Sequence, residues 1–119
     1  MTNELITLRL NDNKIIAYDP RTFYYLPKLT DLELSSNRLL ALSTQTFMPS
    51  AALVRLHLAN NHLTVVHNRT FVELGKLKEL DLSGNDIGKV AKYGFVGLTS
   101  LTRLELRHNR LTKIDWLIF

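Results

Sequence analysis

Every phenylalanine in this chain of 119 residues stands at one interval: Phe23, Phe47, Phe71, Phe95 and Phe119 are each 24 residues apart. Asn13, Asn37, Asn61, Asn85 and Asn109 keep the same interval, and so do Leu5, Leu29, Leu53, Leu77 and Leu101. Three residue types holding one period from end to end mark a stacked repeat, in which each unit buries its apolar face only against its neighbours. The period also explains the composition, since 24 of the residues are leucine. Leucine enrichment of that size otherwise means long helices, but here the spacing is too long and too regular for a 3.6-residue pattern.

Numbered from the first leucine, the units span 5–28, 29–52, 53–76, 77–100 and 101–119, one domain of five repeats with no recognisable caps. Their openings read LITLRLNDNKI, LTDLELSSNRL, LVRLHLANNHL, LKELDLSGNDI and LTRLELRHNRL. All match L-x-x-L-x-L-x-x-N-x-L, with Ile allowed last. In this motif the chain resembles the leucine-rich repeat family. The unit length, with Phe at position 19 and usually Leu at 22, is similar to the "typical" subfamily of Toll-like receptors and of Slit-like and chaoptin-like proteins. The resemblance implies an α/β repeat solenoid: a curved stack with a parallel sheet on its concave side and an irregular or 3₁₀ convex side.

The residues support that architecture independently. Apolar positions 4 and 6 alternate with polar positions 3, 5 and 7, which is strand periodicity. One strand per repeat pairs in parallel with the next at about 4.8 Å, and the bulkier return path curves the stack. Segments such as Asp19-Pro20-Arg21-Thr22-Phe23 suit turns rather than helices. The asparagines stand where the chain leaves the strand; a polar group recurring among leucines needs its hydrogen bonds met. The resemblance implies that Asn13, Asn37, Asn61, Asn85 and Asn109 form a structural ladder bonded to loop backbone.

Two departures stand out. Position 22 is Leu26, Leu74 and Leu98 but Ser50 in the second repeat, so Pro49-Ser50-Ala51-Ala52 is expected to be underpacked or irregular. Tyr24 and Tyr25 on the convex side are read as ordinary loop packing, with a contact site as the alternative.

A solenoid exposes core leucines at its ends unless capping units cover them. The resemblance implies cysteine-bridged caps in extracellular members, and this chain has no cysteine. Met1-Thr2-Asn3-Glu4 lacks the basic and apolar regions of a signal peptide. The sequence therefore reads as a segment of a longer array, with Trp116, Leu117 and Ile118 folding over one edge as a makeshift cap. If the chain stands alone, its open ends are expected to associate end to end; a clean monomer by light scattering at high concentration is the contrary result.

The net charge of +4 invites nucleic acid, but its distribution does not. On positions 3, 5, 7, 8 and 10, the expected concave face, seven basic residues meet seven acidic ones. The excess lies on the loops and convex side, where Lys89, Lys113, Lys92 and Arg69 form a small flank without aromatic stacking partners. No nucleic-acid partner is expected, and membrane association only through regions outside this chain. Position 3 alternates in sign through Asp31, Arg55, Glu79 and Arg103, which predicts a cross-strand ion-pair ladder. The resemblance places ligand binding on the concave side, and there the candidate ligand-binding residues are Arg55, His57, Glu79, Asp81, Arg103 and Glu105.

Chemistry is sparse. Glu33, His57, Asp81 and Glu105 share one column, but an exposed flat column leaves a metal mostly solvated, and no metal site is expected. There is no cysteine nucleophile, G-x-S-x-G, H-E-x-x-H or Gly-rich phosphate loop. No enzyme activity and no cofactor are expected. Asn68-Arg69-Thr70 is an N-glycosylation sequon on the convex side. The reading is a non-catalytic protein-binding module, a segment of an extracellular or cell-surface receptor or adhesion protein recognising a protein ligand. The alternative is an intracellular (cytoplasmic) leucine-rich repeat scaffold or regulatory subunit.

Overall fold

The computed structural model of the chain describes residues 4–19, 21–43, 47 and 50–119. Among these residues seven short strands form: β1 (Thr7–Arg9), β2 (Asp31–Glu33), β3 (Arg55–His57), β4 (Val65–Val66), β5 (Glu79–Asp81), β6 (Lys89–Val90) and β7 (Arg103–Glu105). Five make one parallel sheet in the order β1-β2-β3-β5-β7. Its register is the 24-residue period itself: Leu8, Leu32, Leu56, Leu80 and Leu104 lie side by side, flanked by the columns at positions 3 and 5. The central leucines of this row are fully buried, while Leu8 and Leu104 at the ends are only partly covered.

Behind the sheet the phenylalanines stack into a spine. Successive ring centroids lie 6.3, 6.0, 6.2 and 5.8 Å apart from Phe23 to Phe119, within the range for favourable aromatic pairs. The Asn ladder is equally regular. Asn61 Nδ2 donates to the carbonyls of Leu34 (3.0 Å), Leu58 (3.1 Å) and Ala59 (3.3 Å), while its Oδ1 accepts from the Leu39 N–H (3.0 Å). Asn37, Asn85 and Asn109 repeat the set, each reaching into the preceding repeat. Asn13 is exposed and bonds only the Leu10 and Asn11 carbonyls of its own repeat.

Between these layers the chain turns twice per repeat. After each strand, position 8 adopts a left-handed backbone in all five repeats: Asp12, Ser36, Asn60, Gly84 and His108, with φ from 55° to 67°. That conformation lets its N–H reach the position 7 carbonyl of the next repeat, as from Ser36 to Ala59 at 2.8 Å. On the convex side, the position 22 N–H returns to the phenylalanine carbonyl, giving 3₁₀-like turns at Leu26, Leu74 and Leu98. In the first repeat, Asp19 accepts from the Arg21 guanidinium and backbone N–H, and these bonds hold its carboxyl below the usual carboxylate range.

The structure corrects several expectations. Ser50 keeps the same two backbone bonds as its leucine counterparts, to Phe47 (2.9 Å) and from Leu53 (3.0 Å), and is fully buried. The backbone bonds tie it into the turn whatever its side chain; the departure shows instead as a buried hydroxyl with no hydrogen-bond partner among the described residues. Pro49, Pro20 and the side chain of Trp116 lie outside what is described. Tyr24 and Tyr25 are 56% and 64% exposed rather than packed. The convex side also carries a second sheet, β4 paired parallel with β6, because β-branched valines meet at position 14 of adjacent repeats there. At the last repeat, Ile118 is buried and the Leu117 and Ile118 carbonyls accept from the Tyr93 and Phe95 N–H groups, but Leu101, Leu104, Leu106 and Leu111 remain only partly covered.

At Gly97 the backbone itself calls for glycine. Its φ is +92°, and a Cβ there would fall 2.7 Å from Val72 Cα, backbone that cannot swing aside. Gly97→Ala is expected to cost about 2 kcal/mol in thermal or urea unfolding. Gly88→Ala, where a Cβ meets nothing within 4 Å, is expected to be neutral or slightly stabilising; equal losses at the two positions would refute this account.

Candidate functional site

The candidate residues come from three neighbouring strands because the repeat holds their register. At position 3, Asp31, Arg55, Glu79 and Arg103 lie in one row, and at position 5, Glu33, His57, Asp81 and Glu105 lie in the next. Alternate strand residues face the same way, so both rows project from the concave face while the leucine between them goes into the core. An open depression of about 220 Å³ sits on the C-terminal half of this face. His57, Glu79, Asp81, Arg103, Glu105 and Arg107 surround it, with Leu80 below. Five of the six residues singled out from sequence thus meet at one place. The sixth, Arg55, stands beside it.

The ion pairs follow the position 3 row only partway. Arg55 bridges Asp31 (3.2 Å) and Glu79 (3.7 Å), as the alternating signs predict. His57 Nε2 lies 3.5 Å from Glu79, so this carboxylate is shared. Arg103 does not complete the ladder. Its Nε turns along its own strand to Glu105 at 3.0 Å, and Arg107 approaches the same carboxylate at 3.9 Å. Residues i and i+2 of a strand share a face, so a long arginine can choose either partner, and two arginines gather on Glu105. Asp81 Oδ1 instead accepts from the Ser83 N–H (3.0 Å) and hydroxyl (2.6 Å). These exposed pairs contribute little stability, at most about 1 kcal/mol each.

Arg107 is the lining residue that sequence reasoning passed over. Its column at position 7 otherwise holds Asn11, Ser35, Ala59 and Ser83, and that break from small residues to arginine was the available signal. The smaller partners build a backbone network: Ser35 N–H donates to Asn11 Oδ1 (2.8 Å) and Ala59 N–H to Ser35 Oγ (3.1 Å). The asparagine ladder lies outside the depression and is spent on backbone bonds. Among the described residues, no group of three or more His, Asp or Glu side chains could hold a metal ion.

Asn68 of the sequon is exposed in the turn after β4, beside Arg69 at φ +59°. Thr70 has a structural duty of its own: it is buried, and its hydroxyl donates to the His67 carbonyl at 2.9 Å.

Comparison with known proteins supplies the context. The family model described as Leucine rich repeat matches residues 3–63 and 51–111. No curated protein sequence matches the chain. Among solved structures, the Toll–Spatzle complex of Drosophila development and innate immunity contains a similar chain, at 30% identity and a TM-score of 0.85 over 92% of this chain. The leucine-rich repeat domain of APL1B superposes with a TM-score of 0.87 at 28% identity over 92% of this chain. A chain of the TLR13–ssRNA13 complex shares the fold, with a TM-score of 0.80 at 24% identity over 95%. This chain spans only 14%, 32% and 19% of those three chains, respectively.

Proposed function

Since this chain belongs to the leucine-rich repeat family, we propose that it is a non-catalytic protein-binding module, a segment of an extracellular receptor or adhesion protein that takes its protein ligand on the concave face. The observation that carries the reading is the depression between β3, β5 and β7, where charges of both signs converge on a surface held in register by the sheet. A mixed-charge surface of this kind selects partners by electrostatic complementarity more than by apolar burial. Its position on paired strands, rather than on loops, limits the ordering that binding must impose. Likeness to a chain of the Toll–Spatzle complex supports a protein ligand.

The test is an array of purified extracellular proteins probed with the chain fused to an antibody Fc. The double substitution Arg55→Glu with Arg103→Glu is expected to abolish capture of the specific ligand, and Glu73→Lys on the convex side to leave it. A ligand indifferent to the concave pair and lost with the convex change would overturn the assignment. The setting is tested separately. Secreted from animal cells, the chain is expected to carry one endoglycosidase-sensitive glycan that Asn68→Gln removes. A secreted chain bare at Asn68 would withdraw the sequon's support.

A further inference from the structure

The position 5 column contains an electrostatic mismatch. Asp81 and Glu105 are in-register neighbours on β5 and β7, so two carboxylates face the same way about 4.8 Å apart at the backbone. Like charges placed directly opposite in a sheet are destabilising. The neighbouring arginines do not divide between them: Arg103 and Arg107 both go to Glu105, while Arg55 goes to Glu79, as does the imidazole of His57, the other in-register neighbour of Asp81. Among the acids lining the depression, Asp81 alone forms no ion pair with the described residues.

It is nevertheless held still. Both bonds from Ser83 fall on Oδ1, which orients the group and leaves Oδ2 without a partner among the described residues. The depression is open to solvent above Leu80, and three carboxylates face two arginines across it.

Resting on the reading of the concave face as a binding surface, we infer that Asp81 is the anchor for a cationic side chain, the guanidinium or ammonium group of an arginine or lysine on the protein ligand. An unpaired, preoriented carboxylate at the centre of a concave patch is what such a group requires: a charge-assisted acceptor whose orientation need not be purchased on binding. An incoming cation also relieves the Asp81–Glu105 repulsion, so the site is complete only when occupied. Arginine is among the residues that most often dominate protein interfaces.

The probe is Nα-acetyl-arginine amide, titrated into the ¹⁵N-labelled chain at low salt, with the neutral isostere Nα-acetyl-citrulline amide as control. Saturable shifts centred on Asp81, Ser83 and Glu105 are expected with the arginine compound only, weakening as salt screens the pair. Asp81→Asn, which keeps an acceptor for Ser83, is expected to lower the affinity at least tenfold while its melting temperature stays level or rises. Glu73→Gln on the convex side is expected to change neither. Equal affinity in Asp81→Asn, shifts that map elsewhere, or a fall in its melting temperature that marks Asp81 as structural would each overturn the anchor. If the Arg55/Arg103 double variant loses the array ligand but Asp81→Asn retains it fully, the anchor fails and the concave reading survives.

Discussion

Replacing Phe71 by alanine lowers the unfolding free energy by about 3–5 kcal/mol. The ring is fully buried at the centre of the spine, 6.0 Å from Phe47 and 6.2 Å from Phe95, with interplanar angles of 17° and 12°. Each neighbour is held by its own repeat through the 3₁₀-like turn that follows it, so neither can slide into the space left behind. The cavity therefore stays open, and its cost adds to the lost transfer free energy. Against a total stability that for most domains is about 5–15 kcal/mol, this is a large share. Phe119 makes the control: it is 63% exposed and its ring sits tilted against Phe95, its one aromatic neighbour among the described residues, so Phe119→Ala is expected to cost below about 1.5 kcal/mol, the scale of one aromatic pair. Urea unfolding followed by circular dichroism measures both, and equal losses would show that the spine does not set the stability.

Asn61→Ala is expected to cost about 3 kcal/mol, the upper end for buried groups left unpaired. Its side chain serves three carbonyls and one N–H in two repeats, none of which water can reach in its place. Asn61→Asp keeps the acceptor but turns a carboxylate toward three carbonyl oxygens, so it is expected to be no better tolerated. Asn13→Ala is expected to cost under about 1 kcal/mol, since Asn13 is exposed and its two bonds stay within one repeat. A flat profile across the five asparagines would mean that the residue acts through local turn geometry and not through the bridge between repeats.

Both predictions concern residues found by counting along the chain. The period placed the leucines of the sheet, the phenylalanine spine and the asparagine ladder, because in a stacked repeat sequence separation translates directly into neighbourhood: position n in one unit lies beside position n in the next. The candidate site was legible for the same reason. Positions 3 and 5 of consecutive repeats must form rows on one face, and five of the six chosen residues do line the depression.

What the period left undetermined are the choices among neighbours that the register makes equivalent. Arg103 could have reached Glu79 across the sheet or Glu105 along its own strand, and it takes the second. The left-handed turn at position 8 is present in every repeat, yet it is occupied by Asp, Ser, Asn, Gly and His, so no single residue type announces it. The pairing of β4 with β6 depends on valines meeting in adjacent repeats and is local to that part of the convex side. Ser50 keeps a regular turn because its backbone bonds do the holding, not its side chain.

By itself, then, the amino-acid order determined the architecture and the roster of residues on the concave face, since a constant repeat length leaves parallel in-register stacking as the way to bury every leucine row at once. Only the tertiary structure decided how the charges on that face divide. Long side chains on adjacent strands have several partners within reach and differ by little energy among them, so the outcome depends on where each head group comes to rest. That division is what leaves Asp81 without a counter-ion beside Glu105.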